Sequence, residues 1–118
     1  MPRTKTDFDT VRRLASGLSG VEESTMYGSP ALKVGGKLLA CIPTHKSAEP
    51  GSVVVRIDFD RRAELLATAP DVYYLKDHYL NYPAVLVRLS RIHPDALRDL
   101  LDTAWRFVSA KAHQSRDR

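Results

Sequence analysis

Apolar side chains recur at helical spacing near both ends of the chain. The first series consists of Phe8, Val11, Leu14, Ala15 and Leu18. Thr6 or Asp7 can cap this helix, and Gly20 ends it. The second series follows Pro94, which suits the first turn of a helix, and consists of Leu97, Leu101, Ala104, Trp105 and Val108. We predict an amphipathic helix at each end, with Trp105 buried between the second helix and a sheet.

Between these helices the pattern changes to short apolar segments separated by turn residues. Five strands are predicted, at residues 22–27, 31–34, 37–42, 52–57 and 84–89. Gly35 and Gly36 provide a hairpin turn, because glycine adopts the positive φ angles that such turns require. A short helix is predicted at residues 61–68, with Asp60 as its N-cap.

The predicted order is helix, four strands, short helix, strand, long helix. Helices that are segregated from an antiparallel sheet define the α+β class, here with the helices packed on one face. At 118 residues the chain is long enough for one hydrophobic core. We therefore predict a single domain over residues 1–118, with its core at about residues 8–110 and a polar, frayed end from about His113.

The composition is basic and poor in cysteine. Eighteen Lys and Arg against 14 Asp and Glu give a formal net charge of +4, which favours an anionic partner where the cations cluster. Cys41 is the single cysteine, which excludes an internal disulfide and fits a reducing compartment. The sequence contains neither an apolar run of membrane-spanning length nor a secretory signal after Met1. We therefore expect a cytoplasmic protein that does not associate with membranes.

The segment at residues 73–83 (YYLKDHYLNYP) is the most aromatic part of the chain. Its four tyrosines and His78 combine flat apolar bodies with polar tips. They can stack on a base or an aromatic ligand, or they can close the rim of a small core. We expect core packing for at least half of the tyrosines, with His78 and Tyr79 near the edge of the sheet.

Alternation along the strands divides the predicted sheet into two faces. The helix-covered face is predicted to carry Leu32, Val34, Leu38, Ala40, Ile42, Val53, Val55, Ile57, Val85, Val87 and Leu89. The second, open face is predicted to carry Ala31, Lys33, Lys37, Leu39, Cys41, Val54, Arg56, Ala84, Leu86 and Arg88. Four cations without an acid form a candidate anion-binding surface, with aliphatic side chains available to accept bases or sugars. The same pattern fits a solvated face or a dimer interface.

The sequence contains no catalytic constellation. Cys41 has no histidine at a spacing diagnostic of a thiol nucleophile, and a lone strand cysteine usually acts as a small hydrophobe. The histidines show no metal-ligand spacing; they are His45, His78, His93 and His113. No helix follows Gly35 and Gly36, as it would in a phosphate-binding loop. We therefore expect a non-enzymatic protein with no cofactor and no metal.

Five stretches of the sequence carry a resemblance to a known family. They are residues 27–34 (YGSPALKV), 36–40 (GKLLA), 53–57 (VVVRI), 61–66 (RRAELL) and 78–81 (HYLN). In order and spacing they resemble the MmcQ/YjbR family of small bacterial proteins, over about residues 8–108. The resemblance implies a frataxin-like (CyaY-like) fold and DNA binding of the double-wing type. Iron binding is disfavoured, because Arg12 and Arg13 stand in a first helix that is acidic in an iron-binding member of the fold.

Two hypotheses for function follow. In the first, the protein binds nucleic acid, and DNA in particular by the resemblance. The residues assigned to this role are Lys33, Lys37, Arg56, Lys76, His78, Tyr79 and Arg88. In the second, the sheet face pairs with another subunit, as in a homodimer, or closes over a small anionic ligand. Pairing of Arg56 or Arg88 with acidic residues would neutralise the surface and favour the second hypothesis.

Overall fold

The computed structural model describes residues 7–116, with side chains described through residue 110. The elements in chain order are α1 Phe8–Ala15, β1 Val21–Met26, β2 Ser29–Val34, β3 Lys37–Cys41, β4 Ser52–Arg56, α2 Phe59–Thr68, β5 Tyr73–Tyr74, a 3₁₀ helix Asp77–Tyr79, β6 Ala84–Arg88 and α3 Pro94–Arg116. The predicted α+β class is confirmed. The strand β5 and the 3₁₀ helix are additions to the predicted order, both within the aromatic segment.

Side-chain caps fix the starts of the first two helices. Asp7 accepts a hydrogen bond of 3.2 Å from the backbone N–H of Thr10, which completes a capping box at α1. Asp58 accepts one of 2.7 Å from the N–H of Arg61 at the start of α2. The predicted cap, Asp60, is wrong, because α2 begins two residues earlier than the apolar pattern indicates and Asp60 lies in its first turn.

The long helix α3 contributes the largest apolar stripe to the core. Its buried side chains are Leu97, Leu100, Leu101, Ala104 and Val108. Trp105 is only partly buried, and its indole Nε1 donates a hydrogen bond of 2.8 Å to the carbonyl oxygen of Ser19, so the predicted burial is wrong. The helix continues past His113 to Arg116, and residues 117 and 118 lie outside the described part. Over the described residues, no helix has the length and apolar character that a membrane span requires.

The six strands form one antiparallel sheet in the order β1-β2-β3-β4-β6-β5. Gly35 and Gly36 connect β2 to β3 with φ angles of 57° and 80°, which confirms the predicted hairpin turn. Tyr27 and Gly28 connect β1 to β2 in the same way, with φ angles of 53° and 82°. A tyrosine at positive φ is unusual, because the left-handed conformation costs an L-residue about 1–2 kcal/mol.

A β-bulge interrupts the pairing of β2 with β3. Lys33 lies opposite Leu38, and Leu32 lies opposite Ala40, so Leu39 is the extra residue on β3. Leu39 and Ala40 both join the core beneath the helices, whereas Leu38 joins the apolar cluster on the second face. Two successive side chains therefore point to the same side of the sheet.

The bulge inverts the predicted faces for part of β3. The inverted residues are Lys37, Leu38 and Leu39. Lys37 pairs with Val34 of the helix-side core, so it lies on the face opposite to that of Lys33. Beyond the bulge, Ala40 and Cys41 lie on the faces that alternation predicts.

Both faces of the sheet carry a buried apolar cluster. Helices α1 and α3 cover one face, in agreement with the prediction. The second face was expected to be open, but it carries the buried residues Ala31, Leu38, Cys41, Val54, Tyr74, Tyr79, Ala84 and Leu86. Met26, Ala48 and Leu75 pack against them. The β3–β4 loop and the aromatic segment therefore cover much of a face that alternation alone would leave to solvent.

Candidate functional site

The buried side chain of Arg62 fixes the aromatic segment to α2. Four backbone carbonyl oxygens accept its hydrogen bonds, those of Tyr79, Leu80, Tyr82 and Ala84. The bond from Nη1 to Tyr82 is 2.9 Å long, and the guanidinium carbon lies 4.7 Å from the centre of the Phe59 ring. Burial lowers the pKa of this guanidinium. Because neutral carbonyls satisfy its donors, Arg62 holds the segment in one path across the sheet edge.

Tyr74 fixes the β3–β4 loop on the second face. Its phenol oxygen accepts a hydrogen bond of 2.8 Å from the backbone N–H of Glu49 and shares another with the hydroxyl of Ser52. Ser52 is buried, so both polar groups are satisfied where water is excluded. The phenol therefore links the loop to β4 and β5.

Arg88 is neutralised by an acid from the same loop. Its Nε and Nη2 donate to the two carboxylate oxygens of Glu49, both at 2.8 Å. Its Nη1 donates to the carbonyl oxygens of Pro70 and Asp71, both at 3.2 Å. The hydrogen bond with Arg88 lowers the pKa of Glu49 and raises that of Arg88. Arg88 is thus an internal ion-pair partner, and its counterion comes from a loop that strand alternation does not place.

A pair of stacked histidines joins the β3–β4 loop to the 3₁₀ helix. The rings of His45 and His78 lie 3.8 Å apart between centroids, at an interplanar angle of 15°. His45 Nδ1 accepts a hydrogen bond of 3.1 Å from the backbone N–H of Ser47. The ring of Tyr79 meets His78 edge to face, with centroids 4.8 Å apart. Three rings therefore form one wall above the sheet.

These contacts enclose a cleft of about 350 Å³ on the second face, which we call the tyrosine cleft. It is lined by Met26, Tyr27, Leu38, Cys41, Ile42, Pro43, Thr44, Val54, His78, Tyr79 and Tyr82. Its volume falls within the range of about 300–1,000 Å³ typical of small-molecule sites. A groove of about 200 Å³ that includes residues of α2 and α3 falls below that range. The tyrosine cleft is therefore the better candidate for a binding site.

Cys41 lines this cleft, and its thiol is only slightly accessible. Its relative exposure is 6%. Burial raises the pKa of the thiol from its ordinary value of 9.0 to about 11. The group is therefore a protonated thiol at neutral pH and contributes as a small apolar residue. Within the described part of the chain, no three His, Cys, Asp or Glu side chains come together as a metal site.

Three of the residues assigned to nucleic-acid binding meet at or beside the cleft. His78 and Tyr79 line it, although Tyr79 is buried, with 8% exposure. Arg56 lies beside it, with its guanidinium carbon 4.8 Å from the centre of the Tyr82 ring. Arg56 Nε donates a hydrogen bond of 3.1 Å to the carbonyl oxygen of Pro83.

The other assigned residues do not join them in one basic surface. Lys33 lies directly opposite Glu22, and Lys37 lies on the helix side of the sheet. Lys76 is exposed, with its ammonium nitrogen 5.9 Å from the centre of the Tyr74 ring. Arg88 is paired with Glu49, as described above. Alternation placed four cations on one open face, namely Lys33, Lys37, Arg56 and Arg88. In the structure these four side chains have separate surroundings.

Sequence reasoning missed two residues that shape the site. Arg62 precedes Leu65 and Leu66 by three and four positions, so helical spacing places it on the apolar side of α2. That position was a detectable signal for a buried arginine. Tyr27 was assigned to a strand, although Tyr27 and Gly28 occupy a two-residue turn that places the tyrosine at the cleft.

The fold and the cleft define a small α+β domain with a ligand-sized cavity on the sheet face opposite its terminal helices. The model of the YjbR family matches residues 16–107. The chain belongs to this family, which confirms the resemblance identified from the sequence.

Relatives and a solved structure agree with this assignment. The chain is 36% identical over 118 residues to the uncharacterized proteins Rv2570 of Mycobacterium tuberculosis (strain ATCC 25618 / H37Rv) and Mb2600 of Mycobacterium bovis. Each match covers 88% of this chain and 89% of the relative. The crystal structure of Deinococcus radiodurans protein DR2400, with domain DUF419, matches with a TM-score of 0.72. That match covers 92% of this chain and 83% of the other at 20% identity, which shows a shared fold.

Proposed function

We propose that the protein is a binding module that holds a small molecule with a flat, mainly apolar body in the tyrosine cleft. The observation that carries the proposal is the cleft itself, with a volume of about 350 Å³ and an apolar floor that includes Leu38 and Val54. A cavity of this kind removes the ligand surface from water and orients it through a few polar groups. In the lining, the hydroxyl of Thr44, the imidazole of His78 and the tyrosine phenols are available for that role.

The rings on the walls favour a planar ligand. His78 and Tyr79 meet at an interplanar angle of 85°, so they form a corner of two flat surfaces. Tyr27 and Tyr82 supply two further rings to the lining, and both are exposed. Offset stacking or edge-to-face contact with such rings stabilises a bound aromatic group beyond the burial of its area.

The chemistry of the lining supports binding rather than catalysis. Cys41 is the strongest nucleophile by residue type, but with a pKa of about 11 its thiol stays protonated at neutral pH. The described lining contains no carboxylate that could act as a base toward it. Within the described part of the chain, His78 of the lining makes no hydrogen bond to the Cys41 thiol, so it is not positioned as its base. This combination lacks the activated nucleophile and adjacent base that covalent catalysis uses.

DNA binding, which the family resemblance implies, has weaker support in the geometry of this chain. Glu49 neutralises Arg88, and Lys37 lies on the other side of the sheet from Lys33. Tyr79 is 8% exposed, so a base could reach its ring only by entering the cleft. Nucleic-acid binding would then depend on Lys33, Lys76 and Arg56, which have separate surroundings.

A neutral fluorescent probe, N-phenyl-1-naphthylamine, tests the proposal. We expect saturable enhancement of its fluorescence by the wild-type protein. Thr44→Trp places a large side chain at an exposed position of the lining, so it should abolish binding while the fold remains intact. Thr68→Trp is the matched control on α2, outside the cleft lining, and should bind as the wild type does. Failure of the wild type to bind, or equal binding by Thr44→Trp, would overturn the proposal.

A labelled oligonucleotide tests the nucleic-acid alternative in parallel. If the small-molecule proposal is right, fluorescence anisotropy at low and high salt should show no oligonucleotide binding that depends on Lys33 and Lys76. The alternative predicts that the oligonucleotide binds with an affinity that falls steeply as salt rises. It also predicts that the double variant Lys33→Gln with Lys76→Gln makes this salt dependence shallower, because these lysines would then contact phosphates. That result, together with no binding of the neutral probe, would replace the small-molecule proposal with the nucleic-acid one.

A further inference from the structure

Arg56 is fixed against one wall of the tyrosine cleft. It ends β4 two residues after Val54, and by alternation both side chains lie on the second face. Its Nη1 donates a hydrogen bond of 3.3 Å to the phenol oxygen of Tyr82, and its Nε donates one of 3.1 Å to the carbonyl oxygen of Pro83. The guanidinium carbon lies 4.8 Å from the centre of the Tyr82 ring and 5.7 Å from that of the Phe107 ring of α3. Because Tyr82 lines the cleft, the two hydrogen bonds and the Tyr82 ring hold the guanidinium at the cleft's edge.

The charge of Arg56 has no acidic counterion in the described part of the chain. Its two hydrogen-bond acceptors are a carbonyl and a phenol, both neutral. Asp58 lies two residues away, but its carboxylate caps α2 by accepting from the N–H of Arg61. This distinguishes Arg56 from Arg88, whose charge Glu49 neutralises.

A second uncompensated guanidinium lies in the same region. Arg62 donates to the carbonyl oxygens of Tyr82 and Ala84, on either side of the Pro83 carbonyl that Arg56 contacts. Within the described residues, Arg62 also forms no ion pair, and its acceptors are all backbone oxygens. Two positive charges therefore lie at this end of the cleft, and both attract a bound negative charge.

Arg56 retains donors for a ligand. A guanidinium has five N–H groups in a planar fork, and the contacts of Arg56 use Nε and one position on Nη1. The remaining N–H groups can bind two oxygens of one anionic group side by side. Arg62, by contrast, is buried and its hydrogen bonds go to the backbone. It therefore attracts a bound anion through its charge without a direct contact.

We infer that the ligand of the tyrosine cleft carries an anionic group, which Arg56 binds while the flat body occupies the cleft. This inference rests on the function proposed above. It makes Arg56, which lies beside the cleft, the residue that determines specificity, since the described lining itself contains no permanently charged side chain. The ligand class is therefore an aromatic carboxylate, phosphate or sulfonate rather than a neutral aromatic compound.

Two related probes separate this inference from the proposed function. 1-Anilinonaphthalene-8-sulfonate has the same aromatic body as N-phenyl-1-naphthylamine and adds one sulfonate. We expect the wild type to bind the sulfonate about tenfold more tightly than the neutral probe, as a charged hydrogen bond predicts. Arg56→Gln should remove that preference, so that the two probes bind the variant with equal affinity. Arg61→Gln, which removes an exposed arginine of α2, should behave as the wild type does.

Each result has a defined meaning. Equal affinity for the two probes, unaffected by Arg56→Gln, would overturn the inference and leave the proposed function standing. If neither probe binds to the wild type, the proposed function itself would be overturned. Thermal melts verify that Arg56→Gln is folded. If it is not, the wild type decides the question, because the preference for the sulfonate must fall with rising salt when it arises from a charge at the cleft's edge.

Competition then identifies the anion. 1-Naphthoate and 1-naphthyl phosphate should each displace the bound sulfonate probe from the wild type, and the tighter competitor indicates a carboxylate or a phosphate ligand. In Arg56→Gln, neither charged competitor should bind more tightly than the neutral probe. A competitor series in which the charged compounds displace no better than neutral 1-methylnaphthalene would contradict an anion site at Arg56.

Discussion

The guanidinium of Arg62 donates a hydrogen bond of 2.9 Å to the carbonyl oxygen of Tyr82 from a position that is almost fully buried. A charged side chain on a short helix thereby determines where an aromatic residue of a distant segment lies. The tyrosine cleft depends on this contact, because Tyr79 and Tyr82 both line it and both belong to the segment that Arg62 holds.

Removal of that side chain should destabilise the fold. We expect Arg62→Met to lower the free energy of unfolding by about 3 kcal/mol, because it leaves buried carbonyl oxygens without their donor. Arg61→Met is the matched control, since Arg61 is exposed, and should change stability by no more than about 0.5 kcal/mol. Urea unfolding followed by circular dichroism measures both. Equal stability of the two variants would show that the carbonyls find other partners.

Replacement of Tyr27 should separate stability from binding. Tyr27→Asn creates an Asn-Gly turn, which tolerates positive φ, and should raise the free energy of unfolding by about 1 kcal/mol. The same change removes a ring from the cleft, so the affinity for the neutral probe should fall. Tyr27→Ala serves as the control, because it removes the ring but keeps the strained φ. A less stable Tyr27→Asn would contradict this account of the turn.

Alkylation of Cys41 should be slow at neutral pH and accelerate in base. Its pKa of about 11 means that the thiolate fraction, and with it the rate, should rise about tenfold per pH unit up to that pH. The measurement is the rate of iodoacetamide modification by mass spectrometry at several pH values. Protein unfolded in urea is the control and should react much faster at pH 7. A native rate equal to the unfolded rate would show that the thiol is not buried.

The ion pair of Glu49 with Arg88 should contribute to stability only above acidic pH. Arg88 lowers the pKa of Glu49 below its ordinary value of 4.5, so the native state favours the carboxylate. The stabilisation is therefore present above the unfolded-state pKa and is lost as pH falls through the lowered pKa. Glu49→Gln should be less stable than the wild type at pH 7, and the difference should shrink below about pH 4.5.

Glu64→Gln is the control for that experiment. Glu64 pairs with Arg61 on the exposed side of α2, where ion pairs contribute little. Thermal melts across the acidic range measure both variants against the wild type. A difference between Glu49→Gln and the wild type that is independent of pH would mean that the carboxylate contributes through packing rather than charge.

Much of the architecture could be predicted from periodicity, because strands and helices differ in the spacing of their apolar residues. The face that carries Cys41 was predicted this way, and the Gly35-Gly36 turn was predicted from its glycines. The faces predicted by alternation were inverted for Lys37, Leu38 and Leu39, since a bulge adds a residue without any change in composition that marks it.

The site was harder to predict, because its walls are loops whose paths depend on distant contacts. Residues 73–83 were recognised as a contact segment, but the burial of Tyr79 depends on the hydrogen bonds of Arg62. The neutralisation of Arg88 likewise depends on Glu49, which lies 39 residues earlier in the chain. Strand patterns locate neither Arg62 nor Glu49, so they show neither the burial of Tyr79 nor the neutralisation of Arg88.

The bulge in β3 also bears on how this domain tolerates changes in length. Leu39 has no partner on β2, so its deletion would leave the pairings of Leu38 with Lys33 and of Ala40 with Leu32 in place. The cost would be a lost core side chain, since Leu39 is fully buried. Deletion of Cys41 would instead bring Ile42 into its place opposite Ala31. Within β3, position 39 is thus where a relative can be one residue shorter and keep the same cleft floor.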